Sequence, residues 1–205
     1  MHSQVHVFGD SHADFSFRGY EGLVSHITIS VTCFRVGRDG KGILNFQTAG
    51  VKDNDTIIVL FGEVDCRCHI KRQLLAGREY KEVLDELVTA YGRSISLNVD
   101  EFSKLRVIVS CIPPPTARAD FENIYGPITH EFPFVGSDAE RAMFTRDMND
   151  LLKVHCRTKN YDFLDFYDDY TRVEDGMLDH TKSDTQVHIK DNAMVHQRLR
   201  TLLAL

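Results

Sequence analysis

HVFGDSHADF, residues 6–15, joins a short apolar segment directly to turn-forming residues. Val7 and Phe8 favour extended structure, whereas the Gly-Asp-Ser run at 9–11 is the kind of sequence that ends a strand in a turn. The stretch therefore predicts a first strand whose carboxyl end presents a serine, Ser11, at the lip of a sheet.

Short apolar runs recur along the chain, and each is ended by turn or charged residues. Continuous runs of this kind are typical of strands covered on both faces. Segments with apolar residues at helical spacing lie between them. The predicted strands are HITISVTCF (26–34), DTIIVLFG (55–62), LRVIVSCI (105–112) and YDFLDFY (161–167); the predicted helices are 70–91, closed by Gly92, then 138–156, with Met143, Leu151, Leu152 and Val154 facing inward, and 192–205.

This alternation of strands and helices predicts an α/β domain with a mainly parallel sheet and helices on both sides. A chain of 205 residues suits one such domain, spanning 1–205. Ligands bind beyond the carboxyl ends of the strands in such folds, and the motifs GDSH (9–12), GEVDCRCH (62–69) and PPPT (113–116) follow those ends. The segment 113–136, rich in proline and aromatic residues, is expected to be a long ordered loop that walls or covers the site.

Composition narrows the class of protein. The formal net charge of −6 argues against nucleic acid as a partner, since such proteins carry a basic face. No run approaches about 18 apolar residues and no basic-then-apolar leader is seen, so we expect a cytoplasmic protein with no membrane partner. An odd number of cysteines without scaffold spacing favours free thiols. These are Cys33, Cys66, Cys68, Cys111 and Cys156.

Ser11 needs a base before its hydroxyl becomes a good nucleophile. The late stretch SDTQVHIKD (183–191) offers Asp184 and His188, four residues apart. If this loop folds beside the first strand, His188 acts as the base and Asp184 orients its ring. Taken singly, these residues are equally typical of turns, helix caps and solvated surface. Their combination favours a catalytic site.

In order and spacing, four motifs resemble the four blocks of the GDSL/SGNH hydrolases. They are GDSH (9–12), the glycine of FRVGRDG (34–40), FGEVD (61–65) and SDTQVHI (183–189), and the resemblance covers nearly the whole chain. It implies a three-layer α/β/α, flavodoxin-like fold with five parallel strands. It also implies ester hydrolysis without a cofactor, acetylated carbohydrate being one frequent type of substrate.

By this resemblance Ser11 matches the nucleophile and supplies one backbone amide of the oxyanion hole. His188 matches the base, and Asp184 its acidic partner. The family usually spaces this Asp and His three residues apart, whereas they are four apart in this chain. Asp191 or a backbone carbonyl therefore stays open as an alternative partner of His188.

The other two oxyanion donors are less well matched. Gly37 matches the second-block glycine, whose N–H is a donor in the family, and Gly40 is an alternative. The third block of the family reads Gly-x-Asn-Asp and its asparagine donates a hydrogen bond, but the corresponding GEVD (62–65) places Val64 there. Valine donates nothing, and loss of one donor typically costs about 10²- to 10³-fold in rate.

Arg67 and His69 are the nearest residues able to replace that donor. Arg67 brings a full positive charge to a developing oxyanion, but an ion pair of Arg67 with Glu63 or Asp65 is an equally weighted alternative. The DCRCH run (65–69) contains zinc-ligand residue types without a matching second pair, so no metal is predicted. The predicted substrate-binding residues are His12, Arg38, Asp65 and His69.

The leading functional hypothesis is a serine esterase that acts on a small-molecule or glycan ester, such as an O-acetyl group on a carbohydrate. The reaction then passes through an acyl-enzyme on Ser11. Val64 motivates an alternative, a weakly active or inactive carbohydrate-binding module of the same fold. A third possibility is an acyltransferase in glycan modification, which uses the same nucleophile and excludes water.

Overall fold

Five parallel strands form one sheet in the computed structural model, which describes residues 3–129 and 132–204. The strands are β1 (Val5–Gly9), β2 (Leu23–Ile27), β3 (Thr56–Leu60), β4 (Arg106–Ser110) and β5 (Asp162–Leu164), in the sheet order β2-β1-β3-β4-β5. The helices are α1 (Ser11–Phe17), α2 (Cys33–Asp39), α3 (Ile70–Leu75), α4 (Tyr80–Val99), α5 (Arg118–Tyr125), α6 (Asp138–Lys159) and α7 (Ala193–Leu203). The predicted α/β fold with a five-stranded parallel sheet is confirmed.

The central strand β3 explains the three layers. All five of its residues are buried. Ile57 and Val59 pack in the core cluster that also contains residues of α2, α4 and α6. Ile58 and Leu60 pack in a second cluster with residues of α1 and α7. Because the side chains alternate between two buried faces, the strand reads as a continuous apolar run.

The second strand begins earlier and ends sooner than the predicted 26–34. It covers Leu23–Ile27, and α2 already begins at Cys33. The Thr32 side chain caps this helix, and the Asp65 carboxylate accepts the first two amides of α2 at 2.7 and 3.2 Å. Asp65 is 32 residues away along the chain, so the local β-branched pattern carried no sign of it.

The predicted helix 70–91 is two helices that continue past the predicted end. A turn containing Gly77, at φ +86°, separates α3 from α4. Gly92 lies inside α4, which ends at Val99. A Cβ on Gly92 would lie 2.3 Å from the ring of His155 in α6. This glycine therefore permits close helix packing and does not end the helix.

Three further boundaries differ from the prediction. Helix α6 extends beyond residue 156 to Lys159, and its phase leaves Met143 43% and Val154 54% exposed, whereas Leu152 is in the core. Strand β5 has three residues, fewer than the predicted 161–167. Helix α7 ends at Leu203. The last residue of its predicted range, 205, lies outside the described part of the chain. The segment 113–136, expected to be a long loop, contains the helix α5, so that expectation is wrong for Arg118–Tyr125. Residues 130 and 131 of this segment lie outside the described part of the chain.

All five cysteines are free and buried. Across residues 3–129 and 132–204, no helix combines the length and apolar character that crossing a membrane requires.

We expect Gly9→Ala to destabilise the fold. A Cβ at Gly9 would lie 2.2 Å from Cβ of Ala13 and 2.5 Å from the carbonyl oxygen of Leu60. Since one contact is backbone of β3, relief requires the sheet or α1 to move, which costs about 1–3 kcal/mol. Urea denaturation should show a lower midpoint at unchanged slope. Gly42→Ala is the control, because a Cβ there meets no atom within 4 Å; equal midpoints for both variants would contradict the packing.

Candidate active site

Ser11 is the first residue of α1, immediately beyond the carboxyl end of β1. Asp10 caps the helix, its Oδ1 accepting the His12 amide at 2.9 Å. The first amides of a helix have no intrahelical acceptor. The Ser11 N–H is therefore available to a ligand beside the Ser11 hydroxyl.

The late loop brings His188 and Asp184 to this serine. His188 Nε2 lies 3.0 Å from Ser11 Oγ, and His188 Nδ1 lies 2.8 Å from Asp184 Oδ2. The other oxygen of Asp184 accepts the amides of Gln186 and His188 at 2.8 and 3.1 Å. Thr185 sits in the left-handed region at φ +67°, so one extra residue fits between Asp and His.

The alternative partner Asp191 is placed elsewhere. Its Oδ1 accepts the amide of Ala193 at the start of α7. The imidazole of His188 is held by Asp184 instead.

The surroundings of His188 keep it neutral. Burial lowers its pKa, and the hydrogen bond that His188 donates to Asp184 only partly offsets this. For Asp184, burial raises the pKa, but hydrogen bonds from His188 and two amides outweigh burial and lower it. Phe15 stacks on the His188 ring at 4.2 Å between centroids. At neutral pH the arrangement is thus an unprotonated base beside an ionised carboxylate.

Gly37 lies inside α2, the fifth residue of that helix. Its amide therefore points along the helix towards the carbonyl of Cys33, and a Cβ there would lie 2.7 Å from Cβ of Ala90 in α4. The Gly40 amide is bonded to the Val36 carbonyl. This placement does not favour either glycine as the second oxyanion donor. The close approach of α2 to α4 instead accounts for the glycine at position 37.

A buried charge cluster occupies the third-block segment after β3. Glu63 Oε2 lies 2.9 Å from His12 Nε2 and 3.4 Å from Arg67 Nη2. Burial raises the pKa of Glu63, but Arg67 and His12 outweigh it and bring the value to about 2. Of the two ion pairs that the sequence left open for Arg67, the structure contains the one with Glu63. Val64 is 5% exposed and offers no donor.

Arg38, Asp65 and His69 line a cavity of about 620 Å³ between α2, α3 and α4. The Asp65 carboxyl is fully buried against the amides of α2, and burial raises its pKa to about 7. Arg38 pairs with Asp39. His12 alone among the four predicted substrate-binding residues lies beside His188, with ring centroids 4.7 Å apart.

The segment 113–136 is tied to the cluster. The Val135 amide donates to the Arg67 carbonyl at 3.0 Å, and Arg118 donates to the carbonyls of Phe134 and Gly136. Phe134 is 7% exposed, and the Arg67 guanidinium lies 6.0 Å from its ring. The segment thus packs against the residues that follow β3.

Two site residues were missed from the sequence. Phe15 lies one helical turn after Ser11, and the i, i+4 rule predicts that such residues share a face. Glu63 was considered only as a partner of Arg67, because nothing local to it indicated the contact with His12.

No group of three or more His, Cys, Asp or Glu side chains in the described ranges is arranged to hold a metal ion.

No family model and no curated protein matches the sequence, but solved structures match it over nearly its full length. A GDSL-like lipase from Bacteroides thetaiotaomicron is 10% identical with a TM-score of 0.66, over 98% of this chain and 87% of that one. A catalytic mutant of an acetylxylan esterase from Geobacillus stearothermophilus is 11% identical with a TM-score of 0.63, over 99% and 94%. Another acetylxylan esterase is 14% identical with a TM-score of 0.61, over 98% and 99%. At these identities the likeness establishes the fold.

Proposed function

We propose that this chain, whose fold is that of the GDSL/SGNH hydrolases, is a serine esterase. One observation carries the proposal: Ser11, His188 and Asp184 form a continuous chain of contacts of 3.0 and 2.8 Å at the carboxyl edge of the sheet. A partly buried, neutral imidazole between a serine hydroxyl and a carboxylate is the arrangement that activates a serine.

The mechanism follows from these positions. His188 Nε2 takes the proton of Ser11 Oγ as that oxygen attacks the ester carbonyl carbon. The tetrahedral oxyanion is stabilised by the Ser11 N–H, and Asp184 stabilises the imidazolium. Collapse of the intermediate breaks the bond to the alcohol, which leaves with the proton from His188. Water then attacks the acyl-enzyme, its proton passing to His188 and on to Ser11 Oγ as the acid is released.

The substrate we propose is a small polar ester, such as an O-acetyl group on a carbohydrate. Acetylxylan esterases are among the solved structures that share the fold, and this supports an acetylated sugar by analogy only. Acetate release from acetylated xylo-oligosaccharides and from 4-nitrophenyl acetate tests the proposal, with a triglyceride emulsion as the contrasting substrate. We expect acetate from the first two. No acetate from either would contradict an acetylesterase.

Val64 favours a second candidate, a weakly active or inactive carbohydrate-binding module of the same fold. Its side chain stands where the family has a hydrogen-bond donor, and a missing donor costs about 10²- to 10³-fold in rate. Calorimetric binding of unacetylated xylo-oligosaccharides without any acetate release would favour this candidate. An acyltransferase differs only in its acceptor, and acetyl transfer to an added sugar that exceeds acetate release would favour that activity.

The pH dependence of hydrolysis is a further expectation. Because burial lowers the pKa of His188 below the ordinary 6.5, the base stays unprotonated to lower pH. We expect kcat/KM for 4-nitrophenyl acetate to increase with pH over an acid limb whose midpoint lies below pH 6.5. At neutral pH we expect kcat/KM to be independent of pH. An acid limb above that value would contradict the described environment of His188.

A further inference from the structure

His12 and Glu63 form a buried ion pair to which the mechanism above gives no role. Both side chains are 2% exposed or less, and His12 Nε2 lies 2.9 Å from Glu63 Oε2. Burying two charged groups costs free energy that their attraction often fails to offset. A function for the pair would account for its place beside the active site.

The pair reaches the site through His188. Two other rings contact the His188 ring: Phe15 stacks on it with centroids 4.2 Å apart and an interplanar angle of 8°, and His12 lies tilted at 46° with centroids 4.7 Å apart. The base is therefore in contact with an apolar ring and with a histidine that is paired with Glu63.

We propose that His12 and Glu63 are positioning residues for His188: Glu63 holds His12 as a cation, and that cation fixes the His188 ring against Phe15 and keeps it unprotonated. This inference rests on the proposed function only in assigning His188 as the base.

The directions of the pKa shifts of His12 and His188 agree with this proposal. Burial lowers the pKa of His12, but the Glu63 carboxylate, together with the weaker effect of Asp10, outweighs burial and raises the value. Burial lowers the pKa of His188, Asp184 raises it, and the His12 cation lowers it further. The Glu63 carboxylate raises the pKa of His188 and so opposes the effect of the His12 cation. This carboxylate is, however, paired with both His12 and Arg67. The charged and titratable groups that act on His188 are Asp184 from its own loop, His12 in α1 and Glu63 after β3. Asp10, which precedes α1, and Arg67, which follows β3, act on His12.

Histidine side-chain NMR titration tests the inference without any turnover. In His12→Asn the cation is lost while Glu63 keeps Arg67, so His188 should bind its proton at higher pH than in the wild type. The acid limb of kcat/KM should move the same way, and relative activity on the limb should fall roughly tenfold, the effect of one unit of pKa.

Two variants separate charge from packing. Glu63→Gln removes the anion, so His12 should become neutral at neutral pH. The pKa of His188 should then shift less than in His12→Asn, because the His12 cation and the Glu63 anion are both lost and their opposing effects on His188 disappear together. Phe15→Leu keeps every charge while loosening the ring, so kcat should fall with the acid limb unmoved. If Phe15→Leu shifted the limb as far as His12→Asn, packing alone would explain the effect.

The outcomes distinguish this inference from the proposed function. Unchanged titration of His188 in folded His12→Asn would overturn the positioning role even if the protein hydrolyses esters. A shifted titration in a protein that hydrolyses nothing would support the contact and overturn the esterase. Should His12→Asn not fold, Glu63→Gln decides the matter, since a His12 that stays charged at neutral pH in that variant overturns the inference.

Discussion

Replacing Ser11 with alanine is expected to lower kcat for 4-nitrophenyl acetate by about 10⁴-fold or more. The Ser11 hydroxyl is the atom that attacks, and no other serine contacts His188 Nε2 among the described hydrogen bonds. His188→Ala should lose about as much, and the double variant no more than either single one, because the two residues act as one unit. Initial-rate kinetics on all three variants measures this.

Ser16→Ala is the matched control. Ser16 lies on the same short helix but is buried, whereas Ser11 is partly exposed, and the Ser16 hydroxyl has no hydrogen-bond partner among the described residues; activity within about twofold of wild type is therefore expected. A Ser11→Ala variant that is folded, by circular dichroism, and retains more than about a hundredth of the wild-type kcat would contradict Ser11 as the nucleophile. So would a double variant far slower than both single ones.

Asp184→Asn is expected to lower kcat by about 10³- to 10⁴-fold with little change in folding. The carboxylate accepts a hydrogen bond from the His188 Nδ1–H and so leaves Nε2 free to accept one from the Ser11 hydroxyl. An amide in its place donates to Nδ1, which favours the opposite tautomer, and it no longer balances the imidazolium. Kinetics beside thermal unfolding of the same samples separates catalysis from stability.

Asp191→Asn is the comparison for this second effect. Asp191 contacts the amide of Ala193 and lies away from the histidine nitrogen that Asp184 holds. We expect near wild-type activity from it. Loss of activity in Asp191→Asn with a normal rate in Asp184→Asn would instead favour the alternative partner that the four-residue spacing left open.

The sheet was predictable because its signals are local. Continuous apolar runs such as 56–60 occur where a strand is covered on both faces, and turn residues mark where β1 ends. The boundary between β2 and α2 was not predictable in this way, since Asp65 caps the helix from 32 residues away. Gly92 was misassigned for a related reason: glycine favours helix ends, but here it makes room for His155.

The site was predictable to a similar extent. Residue type and order were enough to propose Ser11, His188 and Asp184, and the structure brings these three together. The features that a local sequence pattern could not place are those that depend on packing. Gly37 carries the family's motif, yet it faces Ala90 of α4. The contact of His12 with Glu63 crosses from α1 to the segment after β3, and no local pattern reports such a contact.

The measurement that tests the central claim most directly is detection of the acyl-enzyme. The protein is mixed with 4-nitrophenyl acetate, quenched in acid within the first turnover, and analysed by intact-protein and peptide mass spectrometry. We predict a mass increase of one acetyl group on the peptide that contains Ser11, and none on that peptide in Ser11→Ala. Release of acetate by the wild type with that peptide never acetylated, or with the acetyl group on another residue, would contradict the account.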